Sequence, residues 1–289
     1  MPPADPAQSD RICARFVLPV SGLRVALTSP TGEEDLLLSE YGGSDTTLAL
    51  SLAQRLARAD DDGDAAVPAW SELPAADLDV LLLRLRQALI GDRITGDLYC
   101  RDPQCGSRVD ISFSIEAYLA HHRPRPVGSG RRGWRVAACA AEPGWFVFTP
   151  PGASADAASS GLRFRLPTVA DQIHAVRAPD PEAALIRLCI QPPNAAAPLR
   201  RRAETAMEAL APLLSGELQG QCPDCGANVA AHFDPRRYCL RELRESARFV
   251  YADIDLLARR YHWDEESILG MPSVRRAVYA EMAAAGAAA

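Results

Sequence analysis

The sequence has no lysine; all 31 of its basic residues are arginine. With alanine more abundant still, this is a compositional bias of the whole chain rather than the mark of a site. Acidic residues outnumber basic ones and the formal net charge is −6, which argues against nucleic-acid binding driven by the overall field. The densest basic group, Arg123, Arg125, Arg131, Arg132 and Arg135, reads as an exposed loop. Long apolar runs are missing as well, and none approaches the ~18 residues needed to cross a bilayer. The opening MPPADPAQSD has neither a basic start nor an apolar centre and does not read as a secretory signal. The expected setting is therefore the cytoplasm, where disulfides are rare.

Enzyme signatures are equally scarce. HExxH, GxSxG, P-loop and GxGxxG patterns are absent, and no nucleophile has a base close to it in sequence. The acidic run at 60–64 begins like a calcium loop but has Ala65 where the glycine belongs, and reads as solvated. His121, His122, His174 and His232 read as structural. The expectation is a protein that is not an enzyme.

What is present is ordinary globular material, 48% hydrophobic and 24% charged, in 289 residues. Residues 15–20 and 23–29 alternate as a hairpin turning at Ser21-Gly22. Thr31 with Glu34 forms a capping-box signature before Leu36, Leu37 and Leu38. Leu78, Leu81, Leu82, Leu85 and Leu89 recur at helical spacing and predict a buried helix over 75–90. WRVAACA and WFVFTP predict a second strand pair. Residues 168–190 and 199–214 read as helices, and 234–284 as a helical tail. Loops fall at 59–68, 123–133, 150–161 and 191–198.

Two stretches resemble each other. CGSRVDISFSIEAYL from Cys105 and CGANVAAHFDPRRYC from Cys225 share, without a gap, Gly106 with Gly226, Val109 with Val229, Phe113 with Phe233 and Tyr118 with Tyr238. A helix ended by Gly91 or Gly216 precedes each, and RFVLPV at 15–20 is similar to RFRLPT at 163–168. The economical reading is an internal duplication. The expected architecture is α+β, with a first lobe over 11–122, an insert with a hairpin over 123–161, a second lobe over 162–245 and a helical segment over 246–285.

Each lobe holds one cysteine pair, Cys100 with Cys105 and Cys222 with Cys225, each followed directly by glycine. That is the form of a zinc knuckle, in which glycine lets backbone N–H groups bend toward the sulfurs. One knuckle supplies two ligands, and a structural Zn²⁺ takes four in a tetrahedron. The simplest completion is one four-cysteine site that joins the lobes as a zinc ribbon. Redox use of CPDC and two separate sites are the alternatives. Cys13, Cys139, Cys189 and Cys239 sit in apolar patterns and read as small buried side chains.

The C-terminal stretch admits two readings. It either packs as a helical hairpin on the second lobe or presents Tyr261, Trp263, Ile268, Met271 and Tyr279 to a partner. Asp264 reads as an N-cap for a short helix ended by Gly270, and Ser273 as the cap of a last helix with Arg275 and Arg276 exposed.

The run YHWDEESILGMPSVRRAVY, together with Phe16-x-Leu18-Pro19, TGEEDLLL at 31–38 and Leu166-Pro167-Thr168 with Asp171, resembles baseplate proteins of contractile phage tails and contractile injection systems. These are the T-even-type baseplate hub assembly chaperone family. The resemblance implies a non-enzymatic protein that helps assemble the hub or spike in the producing bacterial cell, with hub, spike or tube proteins as partners. Zinc knuckles are not a mark of that family, so the four-cysteine reading rests on spacing alone. The alternative is a zinc-ribbon protein that binds nucleic acid or is associated with transcription; the acidic balance and the lack of aromatics interleaved with Arg beside either knuckle count against it.

Overall fold

The computed structural model describes residues 11–60, 69–125, 135–140, 142–149 and 162–287. The first ten residues, most of the acidic run at 60–64, Arg131 and Arg132 of the basic group, and the 150–161 loop lie outside the described residues. Helices and strands are mixed throughout, and no described helix is long and apolar enough to cross a membrane.

The first strands form an antiparallel sheet, β1 (Ile12–Val17), β2 (Arg24–Thr28) and β3 (Ala57–Ala59), in that order. The β1–β2 turn uses Gly22 at φ +74°. Helix α1 (Gly32–Glu40) starts as the capping box requires: the Thr31 hydroxyl caps the first turn, and the Glu34 carboxylate accepts from the Thr31 N–H at 2.9 Å. Helix α2 (Asp45–Leu56) follows an N-cap at Ser44. Helix α3 (Ala75–Ile90) is the predicted leucine-rich helix, with Leu78, Leu81, Leu82, Leu83 and Leu85 buried. At roughly 1.5–3 kcal/mol per buried leucine, this one face is a main source of stability.

Next come β4 (Arg93–Tyr99) and β5 (Arg108–Ser114), a hairpin, then α4 (Ile115–His121). Strands β6 (Arg135–Ala138) and β7 (Trp145–Thr149) are the second expected pair. They do not stand alone in the insert, because β7 pairs with β8 (Leu162–Arg165) and β8 with β9 (Ile190–Gln191) in a four-stranded sheet. Phe148, Leu162, Phe164 and Ile190 of that sheet bury against Ala203 and Ala206 of α7 (Ala197–Leu210).

The helix expected over 168–190 is two, α5 (Val169–Ala175) and α6 (Pro181–Cys189). Pro179 disfavours helix before it, and Pro181 restarts the chain at the first turn after the Asp180 N-cap. The next helix ends at Leu210 instead of 214, and Gly216 opens a strand instead of closing a helix. That strand is β10 (Gly216–Gln221), paired with β11 (Asn228–Phe233). The tail is four helices, α8 (Pro235–Ala247), α9 (Val250–Tyr261), α10 (Glu265–Leu269) and α11 (Ser273–Ala287).

One buried apolar cluster spans residues of both expected lobes. It joins Leu48 and Leu52 of α2 and Leu81, Leu82 and Leu85 of α3 to Cys239, Leu240 and Leu243 of α8. Helix α8 packs on α1, α2 and α3, so residues late in the chain fill the middle of a core begun early. The two ends of the segments also bridge: Ala75 N–H donates to the Pro167 carbonyl at 2.9 Å and Val169 N–H to that of Leu73 at 3.1 Å.

Candidate metal centre

The β4–β5 and β10–β11 hairpins carry a cysteine pair at each tip. In the first, Cys100 N–H donates to the Ser107 carbonyl at 2.8 Å and closes the loop over Cys105. In the second, Cys222 N–H donates to the Ala227 carbonyl, also at 2.8 Å. Gly106 and Gly226, each just after the second cysteine, adopt φ +60° and +73°. Nothing lies within 4 Å of where a Cβ would stand on either, so left-handed backbone and not space calls for glycine. The turns aim backbone N–H groups at sulfur: Asp102 toward Cys100, Ser107 toward Cys105 and Ala227 toward Cys225. Each cysteine pair thus sits on a tight hairpin turn that ends in a left-handed glycine.

The two tips meet. Cys100 Sγ lies 3.6 Å from Cys225 Sγ and Cys105 Sγ 3.8 Å from Cys222 Sγ, pairs 125 and 117 residues apart in sequence. All four sulfurs fall within 4.8 Å of one another. These distances are too long for a disulfide bond of about 2.05 Å. A Zn²⁺ ion held by four thiolates at about 2.3 Å places its sulfurs about 3.8 Å apart, so the set fits a tetrahedral cation. Among the described residues it is the one group of three or more His, Cys, Asp or Glu side chains close enough to share an ion.

The thiols are not equivalent. Hydrogen bonds from the Ser107 hydroxyl and N–H bring Cys105 down to about 7. The Ala227 N–H favours the Cys225 thiolate, yet desolvation and the three neighbouring sulfurs push this thiol up to about 12. Four thiolates crowded together need a positive charge among them, and a divalent cation supplies it by displacing protons.

Comparison with family models, with curated proteins and with solved structures finds no match for the chain. What the cluster joins therefore has to be read from its own surroundings. Beneath it, Val109 and Val229 are buried with Leu98 and Ala227. Further down, Tyr118 and Phe233 stand edge to face at 5.3 Å. The tyrosines cross over: the Tyr118 hydroxyl bonds the Leu214 carbonyl, and that of Tyr238 lies 2.8 Å from the Thr95 carbonyl and 3.0 Å from Glu242 Oε1. Glu242 accepts in turn from Arg86 Nε at 2.7 Å, an almost fully buried guanidinium on α3. Sequence reading missed this Arg86–Glu242 bridge, because its partners lie 156 residues apart in an arginine-rich chain.

The five residues read as a docking set pack on one another, Ile268 buried and Tyr261, Trp263, Met271 and Tyr279 half-buried. Ile268 is fully enclosed, with Leu257, Ala280 and Ala283. Tyr261 stacks on Trp263 at 4.8 Å, and Trp263 meets Tyr279 edge to face at 5.3 Å, with Met271 packed against the same cluster. The reversal comes at His262, which takes φ +56° and returns the chain against α11. Asp264 does cap α10.

Arg276 is a second correction. It is 3% exposed, with Nε 3.0 Å from Asp253 Oδ2 and Nη1 2.8 Å from Asp35 Oδ2; the latter is close enough for an ion pair but lacks the alignment of a hydrogen bond. Ser273 does not cap α11 from outside; it is the first helical residue, and its hydroxyl donates to Asp35 at 2.6 Å. Burial raises Asp35, against the hydrogen bond from Ser273 and the charge of Arg276. These bonds lay α11 on α1, in the first segment. Gly32 permits the approach, since a Cβ there would stand 2.8 Å from Leu269 Cα. Of the other cysteines, Cys189 and Cys239 are buried, whereas Cys13 and Cys139 are only partly so.

Proposed function

We propose that the chain is a non-enzymatic structural or assembly factor for the baseplate hub of a contractile phage tail or contractile injection system. Two duplicated helix–knuckle lobes are stapled by a structural Zn²⁺ site into a zinc ribbon. The observation that carries the structural half is the convergence of Cys100, Cys105, Cys222 and Cys225 from two hairpins within 4.8 Å. Four thiolates saturate a tetrahedral ion and leave no open position for water or substrate. The bound ion would contribute folding free energy. Duplication is supported by the meeting of the aligned residues, Val109 with Val229 in one cluster and Phe113 with Phe233 in an aromatic contact.

The baseplate half rests on the resemblance carried by residues 16–19, 31–38, 166–171 and 261–279. Two of those stretches bond to each other: Gly32 N–H donates to the Met271 carbonyl at 3.3 Å, and Thr31 and Pro272 form an antiparallel bridge. Their contact supports reading them as one unit. The partners are hub, spike or tube proteins, met in the cytoplasm of the producing bacterial cell, with no role for membrane or nucleic acid.

Nucleic-acid binding through the ribbon is a second reading, favoured by Tyr99, which is 67% exposed beside Arg101. Asp97, Asp102 and Asp110 on the same hairpin oppose it. A nuclease-treated pull-down of the tagged full-length chain from producing cells, read by mass spectrometry, separates the two. Recovery of hub, spike or tube proteins is the expected result. Recovery of polymerase subunits, or binding that nuclease abolishes, overturns the assembly reading.

A further inference from the structure

A groove of about 570 Å³ runs between α11 and the main core. Its floor is made of Leu38, Leu52, Leu56, Leu85 and Leu243, all buried. Its rim is apolar yet faces solvent, with Ile90 43%, Phe249 55% and Val274 73% exposed. Along α11 the groove is lined by Val274, Ala277, Glu281 and Ala284, all exposed. That face is about 15 Å long at 1.5 Å per residue. A helix of two to three turns matches its length, whereas a small molecule would leave much of it uncovered. Ala277 and Ala284 line the α11 side and leave room for close approach.

Charge selects among such helices. Glu34, Asp35, Asp253 and Glu281 line the groove against a single guanidinium, Arg276. Arg276 already serves Asp35 and Asp253, and Glu34 has Arg55 at 3.4 Å. Glu281 is exposed on α11 and has no ion-pair partner among the described residues. The polar edge of the groove is net negative.

We propose that this groove is the docking site for an amphipathic helix of a partner protein. The helix carries apolar anchors at i, i+3 or i+4, and i+7, and a basic side chain that pairs with Glu281. The groove is separate from the metal centre. The inference goes beyond the assembly reading, because it holds whichever protein supplies the helix, and its failure would leave the metal staple and the pull-down result standing.

The test uses a displayed library of 16-residue amphipathic helices with randomised apolar and charged positions, selected on the full-length metal-loaded protein. Enriched peptides should share the apolar spacing and a basic flank. Ala277→Trp, which fills the groove from an exposed position, should weaken them by at least tenfold, and Glu281→Arg by roughly tenfold with loss of their salt dependence. Should Ala277→Trp fail to fold, Glu281→Arg alone carries the comparison. Failure to enrich any peptide, enrichment of acidic peptides, or winners unaffected by the variant that folds would overturn the proposal.

Discussion

Phe113 and Phe233 meet edge to face, with ring centroids 5.1 Å apart and planes at 87°, although each comes from the second strand of a different hairpin. Above them the paired valines and then the four sulfurs repeat the meeting, so the metal centre is the top of a column of contacts between two like hairpins. The column explains how thiols so distant in sequence come together, since apolar and aromatic contacts join the same two hairpins below them.

Cys100→Ser and Cys225→Ser should each lower metal content and stability together. Loss of one thiolate from a four-thiolate site should reduce metal affinity by tenfold or more and destabilise the fold by several kcal/mol, because binding free energy here is folding free energy. Elemental analysis and urea unfolding on the same preparations check this. Two single variants with full metal and unchanged midpoints would show that the four cysteines share no site.

Arg276→Met should cost roughly 3–5 kcal/mol, the usual penalty for stranding buried charges, since Asp35 and Asp253 lose their shared partner. Arg276→Met combined with Asp35→Leu should recover part of the loss. Chemical denaturation of the three proteins decides; equal stability of wild type and Arg276→Met would mean that the pair contributes nothing.

Gly226→Ala should cost about 1–2 kcal/mol through its left-handed backbone alone, as open space surrounds the position. Gly226→Asn should cost less, because asparagine tolerates that region, and Gly226→Val more. The ordering is read from unfolding midpoints at fixed zinc concentration. A neutral Gly226→Val would contradict the turn.

Asp171 gives a pH prediction. Burial pushes its carboxyl up, but the Arg165 fork and the Thr168 donors outweigh burial and hold it below the ordinary carboxylate value. A depressed folded value means stability that is present above the unfolded value, about 3.9, and lost as pH falls through the folded one. The stability difference between wild type and Asp171→Asn should therefore be full at neutral pH, about 1.5–3 kcal/mol, and shrink below about pH 4. A difference that stays constant down to pH 3 would exclude the charge as its source.

Much of the architecture is written locally in the sequence. Turns, caps and the α3 leucines are short-range signals, and Ser21-Gly22, Thr31 with Glu34, and Asp264 all act within a few residues. The cysteine pairing was legible because a knuckle is incomplete by its own chemistry and asks for a second pair. Pro179 and Pro181 mark the break between α5 and α6 within a few residues, so that division too is a local signal. What stayed hidden is long-range. Nothing beside Arg276 distinguishes it from exposed Arg275, since its burial depends on Asp35 and Asp253, which reach it only in the folded chain. Ile268 and its aromatic neighbours look like an interface because an interface and a small core use the same residues.

Helix α8 fills the core that α2 and α3 begin, and that placement governs how the protein must be made. At roughly 5–20 residues per second, ribosomal synthesis needs about 8–30 seconds to pass from the end of α3 to the end of α8. Throughout that interval the leucines of α3 lack the complete helix that closes over them, and from Cys105 until Cys222 is made the chain holds only one of the two cysteine pairs. The nascent chain is therefore at its most vulnerable to aggregation and to thiol oxidation late in translation, and a truncated product that stops before residue 235 would have no route to the folded state.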